Sequence, residues 1–450
     1  MANKKFSEFT TKTDPANVDF VVGYDGSTNV KIAPSNLSSG GATSLNGLTD
    51  CLIDGTSSYL VNIPASLSSN PADNTVFGNG AGNALTTGSS NTFIGHDAGA
   101  GVSGDEDNVA IGEGAFSASN VFKGVAVGYH AGKNNNGNYN VFVGENAGYN
   151  TSSSNNVSIG NNAGRSSTAN DHTSVGYQAG YSQTSGVSNT NVGYKAGRQN
   201  TTNANRTYIG YEAGNYNSGA NNTGIGYRAC NGYYSFGTGQ GTGADNTGIG
   251  YEAMSSLNGA SAIKNTAVGV QSLGGVLTAG NNTALGYRSG QNVTSAANNT
   301  FIGSQAGDAV TTGSNNTVIG YDASASAVDA TNEITLGNSS IATIRCQVQT
   351  ISSLSDKRDK TNIQDSNYGL DLIDSLKPVT FEWDMRDGAK VGQKDLGFIA
   401  QDLQELDDEN LQLVYSNNPE KLEASYGRLI PVLVKAIQDL SAKVTALENA

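Results

Sequence analysis

The chain has 450 residues, enough for several domains, but 58 are Gly and only 14% are charged, which fits a turn-rich repetitive β-structure or disorder better than an ordinary globular enzyme. The formal net charge of −14 argues against a nucleic-acid partner, because phosphate binding needs a basic surface. No apolar run approaches the roughly 18 residues of a spanning helix, so no membrane insertion is expected.

Residues 1–45 precede the repeat. They contain "DFVVGYDGSTNVKI", a strand–turn–strand signal with Asp25-Gly26 near the turn. The first twenty residues have no apolar core of a signal peptide. Residues 46–73 read as a connector. Cys51, Cys230 and Cys346 are far apart and form no metal-type cluster; reduced thiols, no metal and no cofactor are expected.

From Asn74 to Ser340 the sequence repeats, as in "NTFIGHDAG" from Asn91, "NVSIGNNAG" from Asn156 and "NTVIGYDAS" from Asn316. Aligned on the Gly after the apolar residue there are sixteen copies, from Gly78 to Gly337, spaced by 16 or 17 residues except twice. A fixed short period means stacked copies of one unit. The residue before the Gly is always apolar, and the residue two before that is always Thr, Val or Ile. Alternate positions share a strand face, so these two columns are expected inside, with the variable residue between them outside. Asn opens twelve of the sixteen copies, where it can bond turn backbone or ladder with the next rung. Three residues after the Gly stands Ala or Ser, and next to it usually Gly, which implies close packing or a positive φ. Sixteen rungs at about 4.8 Å each would make a rod of about 75 Å, thin enough to need winding with identical chains.

Other features inside the repeat are weaker. "GYHAGK" at Gly128–Lys133 lacks the spacing of a phosphate loop. A Thr column that tolerates Val reads as packing, not as an ice-binding array. Tyr follows the Gly in eight copies, suiting a subunit interface or a sugar-stacking face. The largest break in period, between Gly226 and Gly250, inserts "CNGYYSFGTGQG". Its Tyr233, Tyr234 and Phe236 are candidate receptor contacts, against the alternative of local packing over the rung.

Composition switches near Ser355. Residues 355–450 hold 29 of the 64 charged residues and only five Gly, which predicts a separate α+β domain. At its end Ile430, Leu433, Ile437, Leu440, Val444 and Leu447 alternate spacings of three and four, the seam of a coiled coil. Ile or Val at one seam position and Leu at the other favours a dimer by the simple rule.

Two resemblances follow from these residues. The repeat resembles the β-roll heads of YadA-type trimeric adhesins and repeats of phage tail fibres. "SDKRDKTNI" (355–363), "LKPVTFEW" (376–383), "GFIAQD" (397–402) and "YGRLIPVLVKAIQDLSAKVTALE" (426–448) together resemble the C-terminal intramolecular chaperone of endosialidases and other phage tail spikes. Asp402 stands where that family more often has Glu. The resemblance implies a self-cleaving peptidase whose Ser–Lys dyad is Ser355 and Lys360, cutting between Leu354 and Ser355, with Asp356 and Arg358 positioning the loop. The expected fold is mainly β: a trimeric β-roll or β-helical fibre of 16–17-residue rungs, then the α+β chaperone with its coiled-coil helix. The segments are 1–45 for virion attachment, 46–73 connector, 74–340 fibre, 341–354 junction and 355–450 chaperone.

The function expected is a phage tail-fibre, host-adhesion protein. Its C-terminal domain drives trimerisation and folding and is then released by single-turnover self-cleavage. Its partners would be two further copies, the phage tail or baseplate at the N-terminal end, and a host-surface glycan or protein receptor. It would be assembled in the host cytoplasm and reside in the virion tail. The alternatives are a bacterial trimeric surface adhesin, which needs a signal peptide and a membrane anchor, and a glycan-degrading tailspike. A tailspike enzyme needs paired carboxylates in a cleft, whereas Glu113, Glu145, Glu212 and Glu252 are scattered over the rungs.

Overall fold

A computed structural model describes residues 73–345 apart from 119, 200 and 233–240, residue 347, and residues 355–450 apart from 387 and 389; before residue 73 it describes the backbone of four short strands. These are β1 (Val21–Tyr24), β2 (Asn29–Ile32), β3 (Cys51–Ile53) and β4 (Ser58–Leu60). β1 and β2 pair antiparallel, Val21 opposite Ile32, as the two strands of the N-terminal signal imply; Asp25-Gly26 lie outside the described residues.

The described chain forms two compact units, Met1–Ile209 and Gly210–Ala450. In the first, nine three-residue strands run from β5 (Thr75–Phe77) through β13 (Thr207–Ile209); in the second, seven run from β14 (Thr223–Ile225) through β20 (Ile334–Leu336). In both units successive strands pair parallel and in register, Thr92 on Val109 and Thr300 on Thr317. The fold is therefore mainly β, a parallel β-solenoid in each unit, with one rung per repeat.

The Asn column works as the sequence implies. The backbone N–H of Asn316 donates to Asn299 Oδ1 at 2.8 Å, and Asn316 Nδ2 donates to the carbonyl of Ala330 at 2.7 Å. Each Asn thus joins one rung to the next and pins a turn, satisfying buried backbone that a three-residue strand leaves open. The Gly column is equally strict: Gly144 sits at φ +127°, and a Cβ there would lie 2.7 Å from the carbonyl carbon of Gly160.

The expected facing of the strands is overturned. From β5 to β19 the middle residue of the strand points inward, as Phe93, Ala110, Phe142, Phe301 and Val318 do, all fully buried. The flanking Thr/Val and Ile/Val columns are half-buried or exposed; Ile159, Ile249, Leu285 and Ile319 are more than a third exposed. Variability of the middle column misled because a second position compensates it. Where the strand centre is Phe93, the position six residues on is Gly99, whose Cβ would strike the Phe93 ring at 2.6 Å. Where the centre is Ala110, Phe116 fills the space and meets Phe142 edge-on at 6.2 Å. In these rungs one large side chain is exchanged for another, and where both positions are small, as at Ala126 and Gly132, the Phe116 and Phe142 rings of the neighbouring rungs reach in. The cost falls on backbone: Phe116, Cys230, Met254 and Leu273 take φ between 46° and 49° where other rungs place Gly.

After residue 355 the second unit changes character. It contains α1 (Leu370–Ser375), the antiparallel pair β21 (Val379–Asp384) and β22 (Val391–Gly397), α2 (Ala400–Gln404), the short pair β23 (Val414–Tyr415) and β24 (Glu423–Ala424), and α3 (Leu429–Glu448). One face of α3, with Leu429 and Val432, packs on Leu403, Leu411 and Leu413. Asp439 on α3 accepts from the backbone N–H of Leu370, anchoring the start of α1.

Candidate functional site

The site is built from one turn. Asp356, in extended backbone at φ −68°, caps a 3-10 turn over Lys357–Asp359 by accepting from the Arg358 N–H at 2.8 Å. The Arg358 side chain returns to the same carboxylate, Nη2 to Oδ2 at 2.6 Å. That guanidinium holds the Asp356 carboxyl below the usual carboxylate range, and Asp356 in turn raises Arg358. The turn carries Lys360 back toward Ser355, and Lys360 Nζ donates to Ser355 Oγ at 2.5 Å. Two residues five apart thus meet without help from any distant element. Ser355 through Gln364 are all exposed. Leu354, the residue before the expected cut, lies outside the described residues.

The rest of the C-terminal region is tied together by its own hydrogen bonds. Tyr368 Oη donates to Asp408 at 2.6 Å, and Asp407 accepts the N–H groups of Leu413 and Val414. All six seam residues of α3, Ile430, Leu433, Ile437, Leu440, Val444 and Leu447, are exposed. The seam is the face of α3 that the region's own core leaves uncovered.

A contact the sequence did not signal joins the last rung to this region. Tyr415 Oη donates to Glu333 at 2.5 Å, and Asn418 Nδ2 donates to the Ser326 carbonyl at 2.8 Å. Burial pushes the Glu333 carboxyl up, but hydrogen bonds from Ser326, Tyr415 and Asn417 outweigh it and the net shift is downward. Glu333 occupies the Asn column in the final rung, where its N–H still donates to Asn316 Oδ1 at 3.0 Å. The sequence hinted at it only in that Glu333 stands where twelve of the sixteen copies have Asn.

Residues 355–412 match the family described as chaperone of endosialidase. This agrees with the motifs at 355–363, 376–383 and 397–402; the motif at 426–448 lies beyond the matched residues. The family is one of self-cleaving chaperone domains, and a chaperone-of-endosialidase region after a β-solenoid is the organisation of a tail-fibre or tailspike-like protein. No curated protein and no solved structure matches the chain.

The other candidates fall as follows. Tyr233, Tyr234 and Phe236 lie outside the described residues, but the ends of their insertion meet: a Cβ on Gly241 would lie 2.9 Å from the Gly232 Cα. Tyr211, Tyr227 and Tyr251 stack with centroids 5.1 and 4.9 Å apart. Glu212 pairs with Arg228 at 2.9 Å, Glu252 accepts from Gln271 at 3.0 Å, and Glu145 accepts from Asn161 at 2.8 Å, so these carboxylates are occupied in side-chain ladders. Cys230 is buried, its thiol pushed up to about 12 by burial, and Cys346 lies outside the described residues. Among the described residues no three His, Cys, Asp or Glu converge as metal ligands, and no helix is long and apolar enough to cross a membrane.

Proposed function

We propose that this chain is a precursor of a phage tail fibre whose chaperone region gathers three copies, starts the winding of the solenoid and then cuts itself away between Leu354 and Ser355. The observation that carries the reading is the 2.5 Å hydrogen bond between Lys360 Nζ and Ser355 Oγ inside the stretch that matches the family. In the reaction, neutral Lys360 takes the proton of Ser355, and Oγ adds to the Leu354 carbonyl carbon through a five-membered ring. The C–N bond then breaks as the departing Ser355 nitrogen takes the proton back. The resulting Leu354–Ser355 ester is hydrolysed by water to a Leu354 carboxylate and a free Ser355 hydroxyl. Asp356 and Arg358 act as positioning residues.

A lysine serves as a base when its amine is shielded from water. In a single chain Ser355 and Lys360 are exposed, so the cover comes from neighbouring copies, and cutting follows assembly. Two surfaces support association: the exposed Ile and Val column of the rungs, with the Tyr column beside it, and the seam of α3. The resemblance favours three copies over the dimer of the simple seam rule. The N-terminal region would join the tail, and the finished fibre would meet a host-surface receptor.

The test is the intact mass and light scattering of the wild type beside Ser355→Ala. The expected result is a wild-type fragment ending at Leu354, an uncut mutant, and trimers of both. An uncut, trimeric wild type would leave a chaperone without the cut. An uncut monomer would overturn assembly as well.

A further inference from the structure

The solenoid interior of the first unit changes chemistry along its length. From Val76 to Ala147 its buried side chains form an apolar cluster. In the following rungs the inward strand positions become Ser158, Ser174, Asn191 and Tyr208, all 2% exposed or less. The Asn ladder is replaced twice in the same stretch, by His172 and by Arg206, which are 2% and 1% exposed.

His172 is accommodated as a neutral ring. Gln183 Nε2 lies 2.8 Å from His172 Nδ1, and Gln183 Oε1 accepts from Asn191 Nδ2 at 3.1 Å. Arg206 is not accommodated in this way. Its backbone N–H and its Nε both donate to Asn189 Oδ1, at 2.9 and 3.2 Å, but Nη1 and Nη2 are buried with no hydrogen-bond partner. Ser174 Oγ and Asn191 Oδ1 are likewise buried without a partner.

A guanidinium stays protonated in a protein, and a buried charge without a counter-charge is strongly unfavourable. Among the described residues no carboxylate lies within ion-pairing distance of Arg206. The groups acting on it are the Tyr208 phenol and the His172 ring. Restoring Asn here would have continued the ladder, so Arg206 introduces charge where the fold does not require it.

We infer that the interior at Arg206 holds one small monovalent anion, of halide type, against Nη1 and Nη2. A halide is the smallest anion that can accept from both outer guanidinium nitrogens, so it asks the least volume of an interior in which Arg206 is 1% exposed. The anion would be enclosed as the rungs close and would stabilise the folded state by mass action.

Long-wavelength anomalous diffraction from full-length protein purified throughout in sodium chloride tests this without requiring exchange. A chloride peak at hydrogen-bonding distance from the Arg206 guanidinium is expected, absent in Arg206→Asn, which restores the ladder residue. Unfolding of the wild type should be about tenfold slower in sodium chloride than in sodium gluconate of equal ionic strength, and the variant indifferent to the salt. A wild type with no peak and halide-indifferent unfolding would overturn the inference. Tyrosinate absorbance at neutral pH, lost in Tyr208→Phe, would overturn it too, by showing that the chain supplies its own counter-charge. The wild-type diffraction decides the matter even if the variant does not fold.

Discussion

The rungs and the C-terminal region solve opposite problems. A rung closes its interior with three-residue strands, usually a shared Asn, and side chains contributed by it and its neighbours, but it presents an apolar column to solvent. The C-terminal region buries a few residues such as Leu403, Leu413 and Val432 and leaves the seam of its longest helix exposed. The rungs are nearly alike, so slipping by one costs little in local contacts, and pairing several such chains is slow and non-local. The C-terminal region is unlike anything else in the chain, so it has one register. Under the proposed function, a unique element after a repetitive one would give winding a defined start, and a cut between them would make the product kinetically rather than reversibly stable.

Four changes break or sharpen this contrast, from the largest effect to the smallest. Ile437→Asp with Leu440→Asp places charge on the α3 seam and spares the face that packs on Leu403. Light scattering should show monomers in place of oligomers, and mass analysis no cut; a cut monomer would separate cleavage from assembly. Gly144→Ala drives a Cβ into the Gly160 carbonyl and should cost about 3–4 kcal/mol, read as a lower denaturation midpoint at unchanged cleavage.

The next change is in pH. His172 is held down to about 4, first by burial and then by the Arg206 charge. Its folded value is depressed, so the unfolded chain binds the proton first. Stability present above the ordinary value near 6.5 falls as pH drops toward 4, by about 3 kcal/mol. Denaturation followed between pH 7 and 4 checks this, and His172→Asn should flatten the profile. Last, Asp356→Ala removes the cap of the 3-10 turn without touching the dyad. Cleavage should slow roughly tenfold, because the two groups are less well held, while the oligomer forms as before.

Much of this was legible because the chain contains its own alignment. Sixteen copies made the Gly and Asn columns visible, and both proved to have the physical cause their chemistry suggested. Which face is inside was not legible. The regular outward column looked like core, and the true interior looked careless because Phe93 with Gly99 and Ala110 with Phe116 conserve volume as pairs. The Ser355–Lys360 spacing was readable only with the motifs around it, since a serine and a lysine five apart are commonplace. The Glu333–Tyr415 contact was beyond reach, because 82 residues separate its partners.

The sequence by itself determined the period and the stacking of one unit per repeat, because these depend on local residue type repeated at fixed spacing. Only the tertiary structure decided which strand face is buried, which rungs enclose polar groups, and how the last rung meets the C-terminal region. Those depend on how side chains from different rungs share volume and partners, and no single rung records that.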